Sequence, residues 1–272
     1  MSETLNHDPL DNHPTLAQLK AVAQPEAHIA RYNAEHWSGG LYVRHLSIRT
    51  TKLLLPTGIS PNGVTWLMIV LGVVGPLALP LPGLLGPVLA VIAMQLQIVL
   101  DCSDGEVARW RQRFSPAGIY LDRVCHYVTE AALPAALGLR ADGWTLAHPL
   151  DVGGWTVLGL LTSVIVLINK ALTDLVVVAR AKTGRPLLDD VAATTRSKVS
   201  GVARVRRAFG YVPVFRAFVA FEFSLLTLVA GVVDVVAGDL TGTHALALVM
   251  VPLALVTAGG HLVGVLTSSR LD

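Results

Sequence analysis

Six stretches of this chain, at about 64–82, 84–108, 116–139, 154–181, 212–237 and 243–267, stay apolar over lengths that match a lipid bilayer. A hydrocarbon core of about 30 Å needs about 20 helical residues to cross it. The pattern therefore predicts an all-α integral membrane protein with six transmembrane helices. Composition agrees: 53% of the residues are hydrophobic and 15% charged, whereas soluble domains average about 25% charged. Prolines at 76, 80, 82, 87, 134 and 252 blur the ends of the spans, since neighbouring helices can re-satisfy carbonyls that a membrane proline frees.

Basic residues orient the spans. All but three of the 21 Lys and Arg residues fall before the first span, between the second and third, between the fourth and fifth, or after the last. The exceptions are Arg140 in an opposite loop, and Arg123 and Lys170 inside spans. By the positive-inside rule both termini and the turn between the second and third spans face the cytoplasm, as expected for a cell-membrane protein. The net charge of +2 is thus a topological signal, with no nucleic-acid partner implied. Residues 1–60 are polar and mixed, so no signal peptide is expected there. They read as a cytoplasmic segment, mobile over 1–30, with 41–55 either an interfacial helix or a solvated linker. Residues 61–272 form the membrane domain. Cys102 and Cys125 lie on the reducing side, where a disulfide is not expected.

Across the second-to-third turn the sequence places acids at helical spacing. Asp101 and Asp104 are three residues apart on one helix; Gly118, Asp122 and His126 recur every four on the next. Each acid in a membrane helix costs about 2.5–3.5 kcal/mol at mid-bilayer. Three converging from two helices also repel one another, and a bound cation relieves both costs. Hard oxygen donors suit Mg²⁺ or Mn²⁺.

The skeleton D-x-x-D-G-x-x-A-R, eight residues, then G-x-x-x-D-x-x-x-H resembles the signature of the CDP-alcohol phosphotransferases. Seven of its eight fixed positions are met, by Asp101, Asp104, Gly105, Ala108, Arg109, Gly118 and Asp122; the eighth, a fourth aspartate in the family, is His126. The resemblance implies transfer of an alcohol phosphate, phosphatidyl in some members, from a CDP-alcohol to an acceptor hydroxyl, with release of CMP. It further implies two divalent cations held by Asp101, Asp104 and Asp122. Gly105, Ala108 and Gly118 would line the nucleotide pocket, and a homodimer is the expected assembly. The acceptor would be a lipid or a polyol phosphate, placing the protein in phospholipid or related phosphodiester biosynthesis.

The departure falls on the position usually assigned the general base. A neutral imidazole can take a proton near pH 7, and His126 is assigned as that base, with Glu130 four residues on fixing its tautomer. His126 as a metal ligand, or merely as a packing residue, remains open. Arg109 suits a phosphate or a carboxylate. The segment Ser60 to Thr65 resembles the family's entry to the first span, where Asn62 or Thr65 caps the helix or Asn62 meets substrate phosphate. Arg180 and Lys182 end the fourth span, as anchors or as contacts to an acceptor or lipid phosphate.

The fourth span carries Asn169, Lys170 and Asp174; Lys170 and Asp174 are expected to pair, with an acceptor-pocket role as the other reading. Glu222 and His261 read as interhelical hydrogen bonders, and Gly260 with Gly264 as a close-packing motif. The rival to an enzyme is a non-catalytic binding protein or transporter on the same scaffold.

Overall fold

The computed structural model describes residues 8–25, 39–145, 147, 152–186, 214–268 and 271. These are helical, in the order α1 (Leu16–Ala23), α2 (Arg44–Leu54), α3 (Pro61–Ala78), α4 (Leu85–Arg111), α5 (Pro116–Ala141), α6 (Gly154–Lys182), α7 (Ala220–Ala237) and α8 (Thr241–Leu266). Arg31, Arg196, Lys198, Arg204, Arg206, Arg207 and Arg270, which entered the charge argument, lie outside the described residues.

Among the described residues five helices, α3, α4, α6, α7 and α8, are long and apolar enough to cross a membrane. The protein is a multi-pass membrane protein. The expected six spans become five by this measure, because α5, although 26 residues long, carries Asp122, Arg123, His126, Glu130 and Arg140. These polar and charged side chains lower its hydropathy.

Boundaries follow local signals. Pro61 opens α3, where its missing N–H costs nothing, and the Ser60 hydroxyl accepts the Gly63 N–H at 3.1 Å. That cap comes from Ser60, two residues before the expected Asn62. Thr65 is no cap either: its hydroxyl turns to Asp104. The fifth expected span, 212–237, begins only at Ala220, because a 3₁₀ turn occupies Val214–Phe218. α7 ends on Gly238 at φ 77°, a left-handed cap in which the Gly238 N–H donates to the Asp234 carbonyl.

The chain forms two compact units, Met1–Gly72 with Ala93–His126, and Val73–Ile92 with Tyr127–Asp272. In the first, Leu19, Ala23, Ile48, Leu55, Val64, Val107 and Trp110 make one buried cluster. Within residues 8–25, α1 is therefore packed, unlike the mobile tail expected there. A Thr15/Gln18 capping box starts α1, and Trp110 donates to the Asp11 carbonyl at 2.9 Å. α2 takes the helical reading of 41–55. It buries Ser47, Ile48 and Thr51 and exposes Leu46 and Leu53 beside Arg49 and Lys52, the composition of an interfacial helix.

In the second unit, α5 and α6 cross where glycines meet. A Cβ on Gly159 would stand 2.4 Å from the Pro134 carbonyl oxygen, and one on Gly138 2.5 Å from that of Trp155. Neither can be placed without separating the helices. Arg140, the lone basic residue in an opposite loop by sequence, instead ends α5 at 3% exposure, paired with Asp234 at 3.1 Å. It also donates to Thr243 Oγ1 at 3.1 Å and to the Leu81 and Gly83 carbonyls, each at 2.9 Å.

The expected Lys170–Asp174 pair gives way to other partners: Lys170 meets Glu130 at 2.8 Å, and Tyr127 donates to Asp174 at 3.0 Å. His261 fulfils its reading, with Nδ1 2.9 Å from Asn169 Oδ1. Gly260 and Gly264 have no atom within 4 Å of where a Cβ would stand, so no described helix of this chain uses them for close packing.

Candidate metal centre

The acidic turn of the first unit is built by three helix segments. α4 and α5 are joined by the short connection after Arg111, where Gln112 adopts φ 51°. Across this connection Asp101 of α4 comes together with Asp122 and His126 of α5. α3 enters beside them.

Asp101, Asp122 and His126 each offer one ligand atom, and these atoms lie within 4.8 Å of one another. His126 Nε2 stands 3.3 Å from Asp101 Oδ1 and 3.5 Å from Asp122 Oδ1. All three are half-buried, with side-chain exposures of 31–38%, so the cluster is open to a ligand while partly shielded from water. Oxygen and imidazole donors from two helices suit a divalent cation. The donor set fits the group.

Asp104, the fourth residue expected to hold metal, is one turn from Asp101 on α4 and accepts the Thr65 hydroxyl on Oδ2 at 2.8 Å. That bond ties the entry of α3 to the acidic face.

The small residues serve close approaches. A Cβ on Gly118 would lie 3.0 Å from Asn62 Oδ1, and one on Gly105 3.2 Å from Arg109 Nη1. Gly118 thus lets α5 begin against α3, with Ser115 Oγ donating to Asn62 Oδ1 at 3.4 Å. Gly105 makes room for Arg109, whose Nε donates to the Ala23 carbonyl at 2.6 Å. Arg109 is committed to the end of α1 through that nitrogen. In the second unit Arg180 is buried and donates from Nε to the Pro186 carbonyl at 2.9 Å, while Lys182 is exposed. Glu130 is held by Lys170.

Glu106 escaped the sequence reading. It occupies a variable position of the skeleton, yet it is fully buried and accepts three side-chain hydrogen bonds, from Gln24, Ser47 and Thr51. Its charge at the end of an apolar run was the one available signal, and its partners are remote in sequence.

A profile of the CDP-alcohol phosphatidyltransferase family matches residues 58–237, which contain the whole acidic turn and run to the end of α7. No curated protein matches the chain. The matched segment covers more than half of the residues, and the skeleton that carries the resemblance is the one that folds into the cluster. The chain belongs to the CDP-alcohol phosphatidyltransferase family.

Proposed function

We propose that the protein is a divalent-cation-dependent enzyme that moves an alcohol phosphate from a CDP-alcohol to an acceptor hydroxyl and releases CMP. The observation that carries this reading is the convergence of Asp101, Asp122 and His126 within 4.8 Å. Asp101 and Asp122 are the oxygen donors and His126 Nε2 the third; Asp104, steadied by Thr65, supplies the donor for a second Mg²⁺ or Mn²⁺. Bound there, such cations would neutralise the diphosphate and the departing CMP oxygen.

The approach of Nε2 to both carboxylates favours a ligand role for His126 over a base role. The Lys170 ion pair favours a structural role for Glu130 over tautomer control. Ala108, and the backbones at Gly105 and Gly118, would let cytidine and phosphates come close. Asn62, Arg109, Arg180 and Lys182 are the polar groups proposed to meet phosphate. α5 would complete a six-span fold with both termini and the acidic turn at the cytoplasmic face of the cell membrane, working as a homodimer in phospholipid or polyol phosphodiester synthesis.

CMP release from a panel of CDP-alcohols, with Mg²⁺ or with chelator, tests the reading. Release that needs both metal and acceptor supports it; saturable binding without turnover refutes it, and so does solute flux in proteoliposomes that survives Asp122→Asn. For His126→Ala, a ligand role predicts turnover recovered by raising Mg²⁺. Turnover that stays lost at every Mg²⁺ concentration refutes that role.

A further inference from the structure

We propose that Glu106 is a positioning residue: it fastens the N-terminal helices to the back of α4 and so fixes the rotation of α4 that brings Asp101 to Asp122 and His126. The proposal rests on the metal reading of that cluster. It concerns the face of α4 turned away from the ligands. At about 100° per residue, Glu106 lies about 140° around the helix from Asp101 and about 160° from Asp104.

The partners of Glu106 come from two separate helices. Gln24, the residue that caps α1, donates to Oε1 at 2.7 Å. Ser47 of α2 donates to the same oxygen at 2.6 Å, and Thr51, one turn on, donates to Oε2 at 2.6 Å. Gln24 also reaches the Arg44 carbonyl at 3.0 Å, joining α1 to α2 before either meets α4. Neighbouring contacts repeat the theme. Ser103 donates to the Ser47 carbonyl at 3.3 Å, Arg109 to Ala23, and Arg111 to the Leu55 carbonyl at 3.0 Å.

A buried carboxylate is a costly fastener, and an apolar side chain would fill the same space more cheaply. What the carboxylate adds is direction. Apolar packing tolerates a small rotation, whereas three short hydrogen bonds to fixed donors do not. With side chains ending about 6 Å from the helix axis, a turn of about 20° carries a ligand atom about 2 Å. That displacement is large against a cluster whose atoms span 4.8 Å. Shifts of about 1 Å at a reacting site already cost orders of magnitude in rate.

The test is Mn²⁺ binding by electron paramagnetic resonance on the full chain in detergent, well below its unfolding temperature. Glu106→Ala should bind Mn²⁺ about tenfold more weakly, the lower end of what loss of an outer-shell support costs. Glu106→Gln keeps an acceptor for Gln24 and Ser47 and a donor for Thr51, and should stay within about threefold of wild type. Met250→Ala, a buried site in the second unit, serves as the control for loss of stability alone and should leave Mn²⁺ affinity unchanged. Should Glu106→Ala not fold, Ser47→Ala with Thr51→Ala removes the donors instead and is read in the same way.

Three results overturn the proposal: unchanged affinity in Glu106→Ala or in its substitute, a Glu106→Gln loss equal to that of alanine, or an equal loss in Met250→Ala. Absence of Mn²⁺ binding by the wild type overturns the metal reading itself, and this proposal with it.

Discussion

Cutting Asp234 away from Arg140 should be among the most damaging single changes outside the acidic turn. The pair is 3% and 5% exposed at 3.1 Å. Asp234 also accepts the Thr243 N–H at 2.8 Å and the Thr243 hydroxyl. Asp234→Leu would leave a buried guanidinium held only by the Leu81 and Gly83 carbonyls and Thr243 Oγ1, and would orphan the Thr243 donors. Breaking a buried pair from one side costs about 3–5 kcal/mol. At about 2–4 °C per kcal/mol for a chain of this size, the unfolding temperature should fall by about 10 °C.

Arg140→Met should cost a similar amount, since it strands the carboxylate. The double variant replaces the pair by apolar groups, and its loss should fall well short of the two singles combined, by at least about 2 kcal/mol. Reversible unfolding in mixed micelles, run on all four proteins, measures this. Single losses under about 1 kcal/mol, or losses that add within about 0.5 kcal/mol, would refute the claim that this network ties α5, α7 and α8 to the 81–83 turn.

Two further outcomes follow from the second unit. Gly159→Ala should lower stability by about 1–3 kcal/mol, read in the same unfolding assay, because its Cβ would overlap the Pro134 carbonyl; an unchanged protein would contradict the glycine crossing. Asp142 caps α6 from across the preceding loop, accepting the N–H groups of Gly153, Trp155 and Thr156 and the Thr156 hydroxyl. Burial pushes its carboxyl up, but these hydrogen bonds outweigh it and hold the group below the usual carboxylate value. Its stabilisation is therefore present above the unfolded value of about 3.9 and lost as pH falls through the folded one. Asp142→Asn should differ from wild type in unfolding temperature at neutral pH, and the gap should close only below about pH 4; a gap that closes between pH 7 and 5 would contradict the sign.

Much of the acidic turn was legible because its aspartates and histidine repeat at helical spacing within one short stretch. Asp101, Asp122 and His126 could be placed together from a count of residues. The packing behind them could not. Glu106 finds its donors 82, 59 and 55 residues away, at ordinary polar positions of helices whose docking no local pattern encodes.

Charge within the spans misled for the same reason. Lys170 has Asp174 one turn away on its own helix, yet it meets Glu130 of α5, and Arg140 looked like a loop cation until Asp234 appeared across 94 residues. α1 is eight residues long, too short to announce itself by periodicity, and its burial of Leu19 and Ala23 depends on Trp110 and Val107 of α4. α5 shows the converse. Its helix was predicted to within two residues at its C-terminal end, while the polar residues that make it interesting remove it from the strongly apolar set.

The central claim is that the facing ends of α4 and α5 hold a divalent cation. Anomalous diffraction from crystals grown with Mn²⁺ tests it most directly. A cation held there gives an anomalous peak bounded by Asp101, Asp122 and His126, and the peak is lost in Asp122→Asn crystals. A peak elsewhere in a protein that turns over CDP-alcohol, or no peak at all in such a protein, would contradict it.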